Sequence, residues 1–106
     1  MATARIVMPK TARKGEIIEI KARITHVMES GFRNDNVGRP IPRDILTRFA
    51  CSYDGETVFL MELFTGVAAN PFVAFSTIAT KTGELVFTWT NQQGFSHTER
   101  TRLEVT

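Results

Sequence analysis

Beside scattered carboxylates, the sequence has one cysteine and two histidines that could act as nucleophiles or metal ligands: Cys51, His26 and His97. A neighbouring imidazole can activate a thiol as a nucleophile, and thiolate and imidazole together are good ligands for zinc. None of the three stands in a metal-ligand spacing such as Cys-x-x-Cys or His-x-x-x-His. A small metal-binding or thiol enzyme built on these residues therefore remains one hypothesis, and separate strands would have to assemble its site.

The surroundings of Cys51 favour a structural role for this residue. It lies in a strand-like run between Ala50 and Ser52, where a cysteine behaves as a small buried hydrophobe. A reactive thiol needs positive charge nearby and partial exposure, and Arg48 is the cation that could supply the charge. A single cysteine also excludes an internal disulfide.

The segment from Glu16 to His26 is the clearest strand in the sequence. Its residues alternate between polar and apolar, which predicts a half-buried strand of antiparallel type. The apolar face consists of Ile18, Ile20, Ala22 and Ile24.

The densest apolar stretch runs from Phe49 to Phe75 and begins with a predicted β-hairpin. Asp54-Gly55 readily supplies the positive φ angles of a tight turn. A two-residue turn would place Phe49 opposite Leu60, whereas a three-residue turn would place it opposite Phe59. The three-residue turn, with Gly55 as the bulge residue, is preferred because the other register turns the Glu62 carboxylate inward.

The preferred register assigns the faces of the second hairpin strand. The residues expected to face the core are Phe59, Met61 and Leu63, and those expected to face outward are Val58, Leu60 and Glu62. The strand from residue 72 to 80 is likewise apolar on both faces. This excess of apolar surface predicts either cover from within the chain or a protein partner.

The chain as a whole shows seven strand-like runs, no convincing helix and one long loop from Glu29 to Asp44. This pattern predicts an all-β, immunoglobulin-like antiparallel β-sandwich of about seven strands, formed by residues 1–106 as a single domain. The final run, from Phe95 to Thr106, is largely polar with Leu103 and Val105 inward, which is typical of a position near a sheet edge.

Composition narrows the function classes. Net charge is +2, and the basic residues are interspersed with acidic ones, so no nucleic-acid-binding face is expected. No apolar run approaches the roughly 20 residues of a membrane span. The first residues lack the charged head and apolar core of a secretory signal, so the sequence itself indicates no export.

Five short motifs occur in order along nearly the whole chain. They are Lys14-Gly15-Glu16, Ile41-Pro42-Arg43, Phe49-x-Cys51-x-Tyr53-x-Gly55, Ala69-Asn70-Pro71 and Phe87-x-Trp89. Together they resemble the SoxZ family of the bacterial sulfur-oxidation (Sox) system. The resemblance implies an immunoglobulin-like sandwich without an active site or cofactor, acting as the partner of SoxY in thiosulfate oxidation.

In that family SoxY carries sulfur intermediates on a cysteine of its glycine-rich C-terminal tail, and the SoxYZ heterodimer presents them to Sox enzymes in the periplasm. SoxZ is thought to be exported bound to SoxY, which would explain the missing signal. Cys51, in mid-strand, is not expected to be the cargo cysteine. Transient contacts with other Sox enzymes, and self-association without SoxY, are also expected.

The resemblance favours a partner as the cover of the apolar surface. The residues expected to contact SoxY are Val58, Leu60, Phe72 and Ala74 on the outer face, with Phe32, Arg33 and Arg39 from the long loop.

Overall fold

Alternating apolar and polar residues produce the strands of this protein, as seen in a computed structural model that describes residues 3–25, 38–39, 45–63, 71–94 and 96–106. Within these ranges the chain forms eight strands and no helix. The strands are β1 (Thr3–Val7), β2 (Thr11–Ala12), β3 (Ile17–Thr25), β4 (Leu46–Tyr53), β5 (Glu56–Glu62), β6 (Phe72–Ile78), β7 (Gly83–Asn91) and β8 (Ser96–Val105). The described part of the chain thus has no helix able to cross a membrane.

The strands form two sheets that pack face to face. One sheet has the order β1-β3-β6, and the other has the order β2-β8-β7-β4-β5. Every pairing is antiparallel except that of β2 with β8. The predicted all-β, immunoglobulin-like sandwich is confirmed.

Strand β2 is an element that the sequence pattern does not reveal, because two residues are too few to show an alternation. Ala12 pairs in parallel with Val105, and the Thr106 amide donates to the Ala12 carbonyl at 3.0 Å. On the other side the Glu104 amide donates to the Lys10 carbonyl at 3.0 Å. A two-residue bridge between the two ends of the chain has no local periodicity, so only the fold brings it together.

The core lies between the sheets. On the three-stranded sheet the predicted apolar face of β3 is confirmed, since each of its four residues is at most 1% exposed. On the five-stranded sheet Phe49 is fully buried and contacts four aromatic rings. The ring-centroid distances from Phe49 are 5.0 Å to Trp89, 6.1 Å to Phe59, 6.1 Å to Phe75 and 6.4 Å to Phe87. Phe75 belongs to β6, so this aromatic cluster joins the two sheets.

The hairpin of β4 and β5 has a two-residue turn, so the preferred three-residue turn was wrong, and beyond a β-bulge the pairing follows neither expected register. Tyr53 pairs with Glu56 across a two-residue turn in which Asp54 and Gly55 have φ of 51° and 85°. The pairing then shifts at a β-bulge, so Cys51 lies opposite Phe59. The observed partner of Phe49 is Met61, so both predicted pairings of Phe49 were wrong. The reason is that the extra residue lies within β5 and not in the turn.

The bulge also decides which side chains of β5 face inward. Leu60 and Glu62 are exposed, and Phe59 and Met61 pack against the core, as expected. Val58 was expected to face outward; instead it is half-buried and packs against the core beside the bulge. Strand β5 is apolar on both faces by sequence, but Leu60 is its only large hydrophobic residue that is exposed.

The hydroxyl of Tyr53 ties the hairpin to the segment that precedes β7. It accepts hydrogen bonds from the amides of Thr80 at 3.2 Å and Lys81 at 3.1 Å, and it donates to the Lys81 carbonyl. One side-chain oxygen thereby satisfies three backbone groups of a turn. The side chain of Tyr53 is itself part of the core.

We expect Tyr53→Phe to lower the free energy of unfolding by about 1–3 kcal/mol, because partly buried backbone groups lose their hydrogen-bond partner. Urea denaturation measures the change. Ser76→Ala is the control, since it removes a hydroxyl from an exposed strand position and should cost less than about 0.5 kcal/mol. Equal stability of the two variants would show that the Tyr53 hydroxyl is not needed to hold the turn.

Candidate partner-binding surface

Cys51 is a core residue. Its side chain is 0% exposed, and the Sγ atom lies 3.7 Å from the carbonyl oxygen of Ser52. Burial raises the pKa of the Cys51 thiol to about 12, because the thiolate would lose its hydration. The thiol is therefore neutral at physiological pH, which supports the structural interpretation.

His97 lies on β8, away from Cys51. His97 pairs with Trp89, and Cys51 pairs with Phe87. Because β7 lies between β4 and β8, these two strands are roughly 10 Å apart. The half-buried imidazole of His97 has its Nε2 atom 2.9 Å from Oε1 of Glu99. His26 lies outside the described residues. The structure does not join Cys51 and His97 into a nucleophilic pair.

A metal site was the other chemistry considered for these residues. In the described ranges no group of three or more His, Cys, Asp or Glu side chains is placed to hold a metal ion. The enzyme hypothesis thus has no assembled site in that part of the molecule.

Exposed apolar side chains are concentrated on one outer face instead. Five large hydrophobic residues in the described part are more than half exposed: Val7, Ile17, Leu60, Phe72 and Ile78. Four of them lie on the three-stranded sheet, and Leu60 alone lies on the five-stranded sheet. The outward side of the three-stranded sheet is called the β1-β3-β6 face below.

The expected interface on one continuous surface is not what the fold provides. Phe72 and Ala74 are exposed on the β1-β3-β6 face, whereas Leu60 points outward from the opposite sheet. Val58 is half-buried at the bulge. The sequence groups these four residues because their strands are apolar on both faces, but those strands, β5 and β6, belong to different sheets.

The register of the three strands places the side chains of the β1-β3-β6 face in rows. Phe72, Arg23 and Arg5 share one row, and Ala74, Lys21 and Val7 share the next. The rows beyond are Glu19 with Ser76, then Ile17 with Ile78. Rows on one face of a sheet are about 6.7 Å apart, so the isoleucine pair lies roughly 20 Å from Phe72.

A cavity of 240 Å³ opens on the β1-β3-β6 face between the first two rows. It is lined by Arg5, Val7, Lys21, Arg23 and Phe72. We call these five residues the arginine pocket. The Arg23 guanidinium carbon lies 5.6 Å from the centroid of the Phe72 ring, a cation–π distance.

The remaining predicted contact residues belong to the long loop. Phe32 and Arg33 lie outside the described residues, and Arg39 is exposed. Sequence reasoning missed the contributions of Val7, Arg5 and Ile17, although the alternation in β3 already placed Lys21 and Arg23 on the polar face. What no pattern showed was that β1 pairs with β3 and adds its own arginine to the same face.

Several solved structures share this fold. The superoxide reductase (neelaredoxin) from Ignicoccus hospitalis has a TM-score of 0.75 and 14% identity, over 98% of this chain and 80% of that one. The sulfur carrier protein SoxY from Chlorobium limicola f thiosulfatophilum has a TM-score of 0.67 and 14% identity, over 97% and 78%. A putative superoxide reductase from Thermotoga maritima has a TM-score of 0.66 and 14% identity, over 97% and 85%.

At these identities the structural likeness establishes the fold alone. No curated protein sequence matches the chain. The family model described as sulphur oxidation protein SoxZ matches residues 5–102, nearly the whole chain. The motifs at the start of the first long strand, at the hairpin and in β7 thus have their explanation: the chain belongs to the SoxZ family of sulphur oxidation proteins.

Proposed function

We propose that this protein is the non-catalytic partner of SoxY in the SoxYZ carrier, which holds covalently bound sulfur intermediates during thiosulfate oxidation. Membership of the SoxZ family supports this role. The structural observation that carries it is the β1-β3-β6 face, where Val7, Phe72, Ile17 and Ile78 are 52%, 52%, 71% and 53% exposed. Grouped exposed hydrophobes of this kind mark protein interfaces more often than solvent-facing surface.

The state of Cys51 supports a non-catalytic role. A covalent carrier or a thiol enzyme needs a reachable thiolate, and a fully buried thiol with a raised pKa offers none. On this proposal the cargo cysteine belongs to SoxY, and this chain supplies a binding surface. The superoxide reductase likeness adds no argument for catalysis, because it extends only to the fold.

We place the centre of the SoxY interface at Phe72 and Ala74. They lie on the face with most of the exposed apolar side chains, and Phe32, Arg33 and Arg39 of the long loop are proposed to extend the contact. Leu60 and the half-buried Val58 belong to the other sheet and form the rival surface. We further propose a periplasmic location, transient contacts with other Sox enzymes through the complex, and self-association when SoxY is absent.

Co-expression of this chain with the SoxY of its own genome tests the proposed function. We expect a stable one-to-one heterodimer, read as mass by light scattering after co-purification. The chain expressed alone should show a mass that rises with concentration, because its apolar face has no partner. A monomer that ignores SoxY at every concentration would overturn the carrier role and bring His97 and His26 back into consideration.

Two matched charge substitutions decide between the faces. Phe72 and Leu60 are 52% and 54% exposed on opposite sheets, so aspartate at either position should cost the fold a similar amount. We expect Phe72→Asp to weaken SoxY binding at least about 30-fold, the effect of losing an interface anchor worth 2 kcal/mol, and Leu60→Asp to change it less than threefold. Isothermal titration calorimetry gives both affinities. The opposite ranking would move the interface to the five-stranded sheet.

A further inference from the structure

Two arginines face each other across the edge of the three-stranded sheet. Arg5 on β1 is paired with Arg23 on β3, and both side chains are exposed on the same face. Lys21 occupies the neighbouring row of β3, on the diagonal from Arg5. Like charges directly opposite each other destabilise a sheet. This arrangement costs the isolated protein stability, so an anionic partner would have a clear energetic advantage here.

The described part of the chain offers these guanidinium groups no counter-charge. Glu19 is on the same face, but its carboxylate pairs with Lys21 at 3.6 Å. Neither Arg5 nor Arg23 makes an ion pair with a carboxylate among the described residues. On the outer face of the other sheet, in contrast, Arg100 lies 3.3 Å from Glu84.

The pocket between the charges is apolar on part of its wall. Val7 and the ring of Phe72 line the 240 Å³ cavity together with the three cations. The cavity has room for an aliphatic or aromatic side chain beside the cations. A small inorganic anion would gain nothing from contact with the apolar side chains of Val7 and Phe72.

We propose that the arginine pocket docks an acidic segment of the partner protein, with a carboxylate between Arg5 and Arg23 and an adjacent apolar side chain against Val7 and Phe72. The planar guanidinium group suits bidentate pairing with a carboxylate. Arg23 is held over the Phe72 ring, which reduces the entropy lost on binding. The inference rests on the proposed function, which supplies SoxY as the probe.

The outer face beyond the pocket favours a protein over a nucleic acid. A backbone-tracking site for nucleic acid needs cations spaced along its length. Here the next row carries Glu19, and the one after it carries the exposed Ile17 and Ile78. Charge at one end and apolar surface at the other match a polypeptide segment that is acidic and then hydrophobic.

The first test is Arg5→Glu, with Arg100→Glu as the control of equal charge change on the opposite sheet. Glutamate at position 5 faces Arg23, so the free protein should melt at the same or a higher temperature. The affinity for SoxY should nevertheless fall at least about tenfold, and Arg5→Glu/Arg23→Glu about 100-fold, with a weaker salt dependence. Arg100→Glu should remain within threefold of wild type.

These outcomes separate the two proposals. If wild type binds SoxY and the Arg5 and Arg23 variants bind equally well, the arginine pocket is not the docking site and the carrier role stands. If wild type does not bind SoxY, the carrier role is wrong. A probe independent of SoxY then tests whether the arginine pocket binds an acidic segment.

That probe is the peptide Asp-Glu-Phe-Asp, titrated into labelled protein and followed by amide chemical shifts. We expect shifts at Arg5, Arg23 and Phe72 that the peptide Asn-Gln-Phe-Asn does not cause and that Arg5→Glu/Arg23→Glu abolishes. No shifts, or the same shifts with sodium sulfate alone, would overturn the inference; the second result would indicate a small-anion site.

Discussion

Replacing Phe49 with alanine is expected to lower the free energy of unfolding by about 3–5 kcal/mol, the range for large aromatic side chains lost from a core. Phe49 is 0% exposed and contacts Trp89, Phe87 and Phe59 of its own sheet. It also contacts Phe75 of the opposite sheet at 6.1 Å, so the substitution leaves a cavity where the two sheets meet. Domains of this size are stable by only about 5–15 kcal/mol, and the loss should therefore be severe.

Urea denaturation followed by Trp89 fluorescence measures this loss. Leu60→Ala is the matched control, because Leu60 lies on the neighbouring strand with its side chain in solvent, and it should cost less than about 0.5 kcal/mol. A Phe49→Ala protein that loses less than 1 kcal/mol would mean that the sheets are held together mainly elsewhere.

The folded protein should react with a disulfide reagent about a thousandfold more slowly than the unfolded chain at pH 8. The thiolate is the reactive form, and burial moves the pKa of Cys51 from 9.0 to about 12. At a fixed pH of 8, raising the pKa from 9.0 to about 12 lowers the thiolate fraction by about that factor. Release of the chromophore from Ellman's reagent, with and without urea, gives the two rates. A rapid reaction in the native state would show that Cys51 is accessible and would reopen the thiol hypothesis.

The same shift has a consequence for alkaline stability. Below about pH 9 the thiol is neutral in both states, so stability does not depend on pH through Cys51. Between pH 9 and 12 the unfolded chain ionises and the folded protein does not, so the free energy of unfolding falls as pH rises, by at most about 1.4 kcal/mol per unit. Comparing Cys51→Ala with wild type between pH 8 and 10 isolates this contribution, which the variant lacks.

The faces of the strands could be predicted from the sequence, whereas their pairing could not. Alternation identified the buried side of β3. The free-energy cost of burying a carboxylate correctly predicted that Glu62 faces outward. The register of the hairpin was wrong because a β-bulge adds its extra residue without a distinct sequence signal at that point. Since the preferred partner of Phe49, Phe59, and its observed partner, Met61, differ by two residues, both of these side chains still face the core.

For the candidate surface too, the sequence predicts the properties of single strands but not how the strands are arranged. The sequence by itself determined the fold class, the excess of apolar residues, the structural character of Cys51 and, through its motifs, the SoxZ family. Only the tertiary structure decided that Leu60 and Phe72 lie on opposite faces and that Arg5 meets Arg23. Periodicity acts along one strand, but a surface is made by strands distant in sequence, and their arrangement follows from the packing of both sheets around the aromatic core.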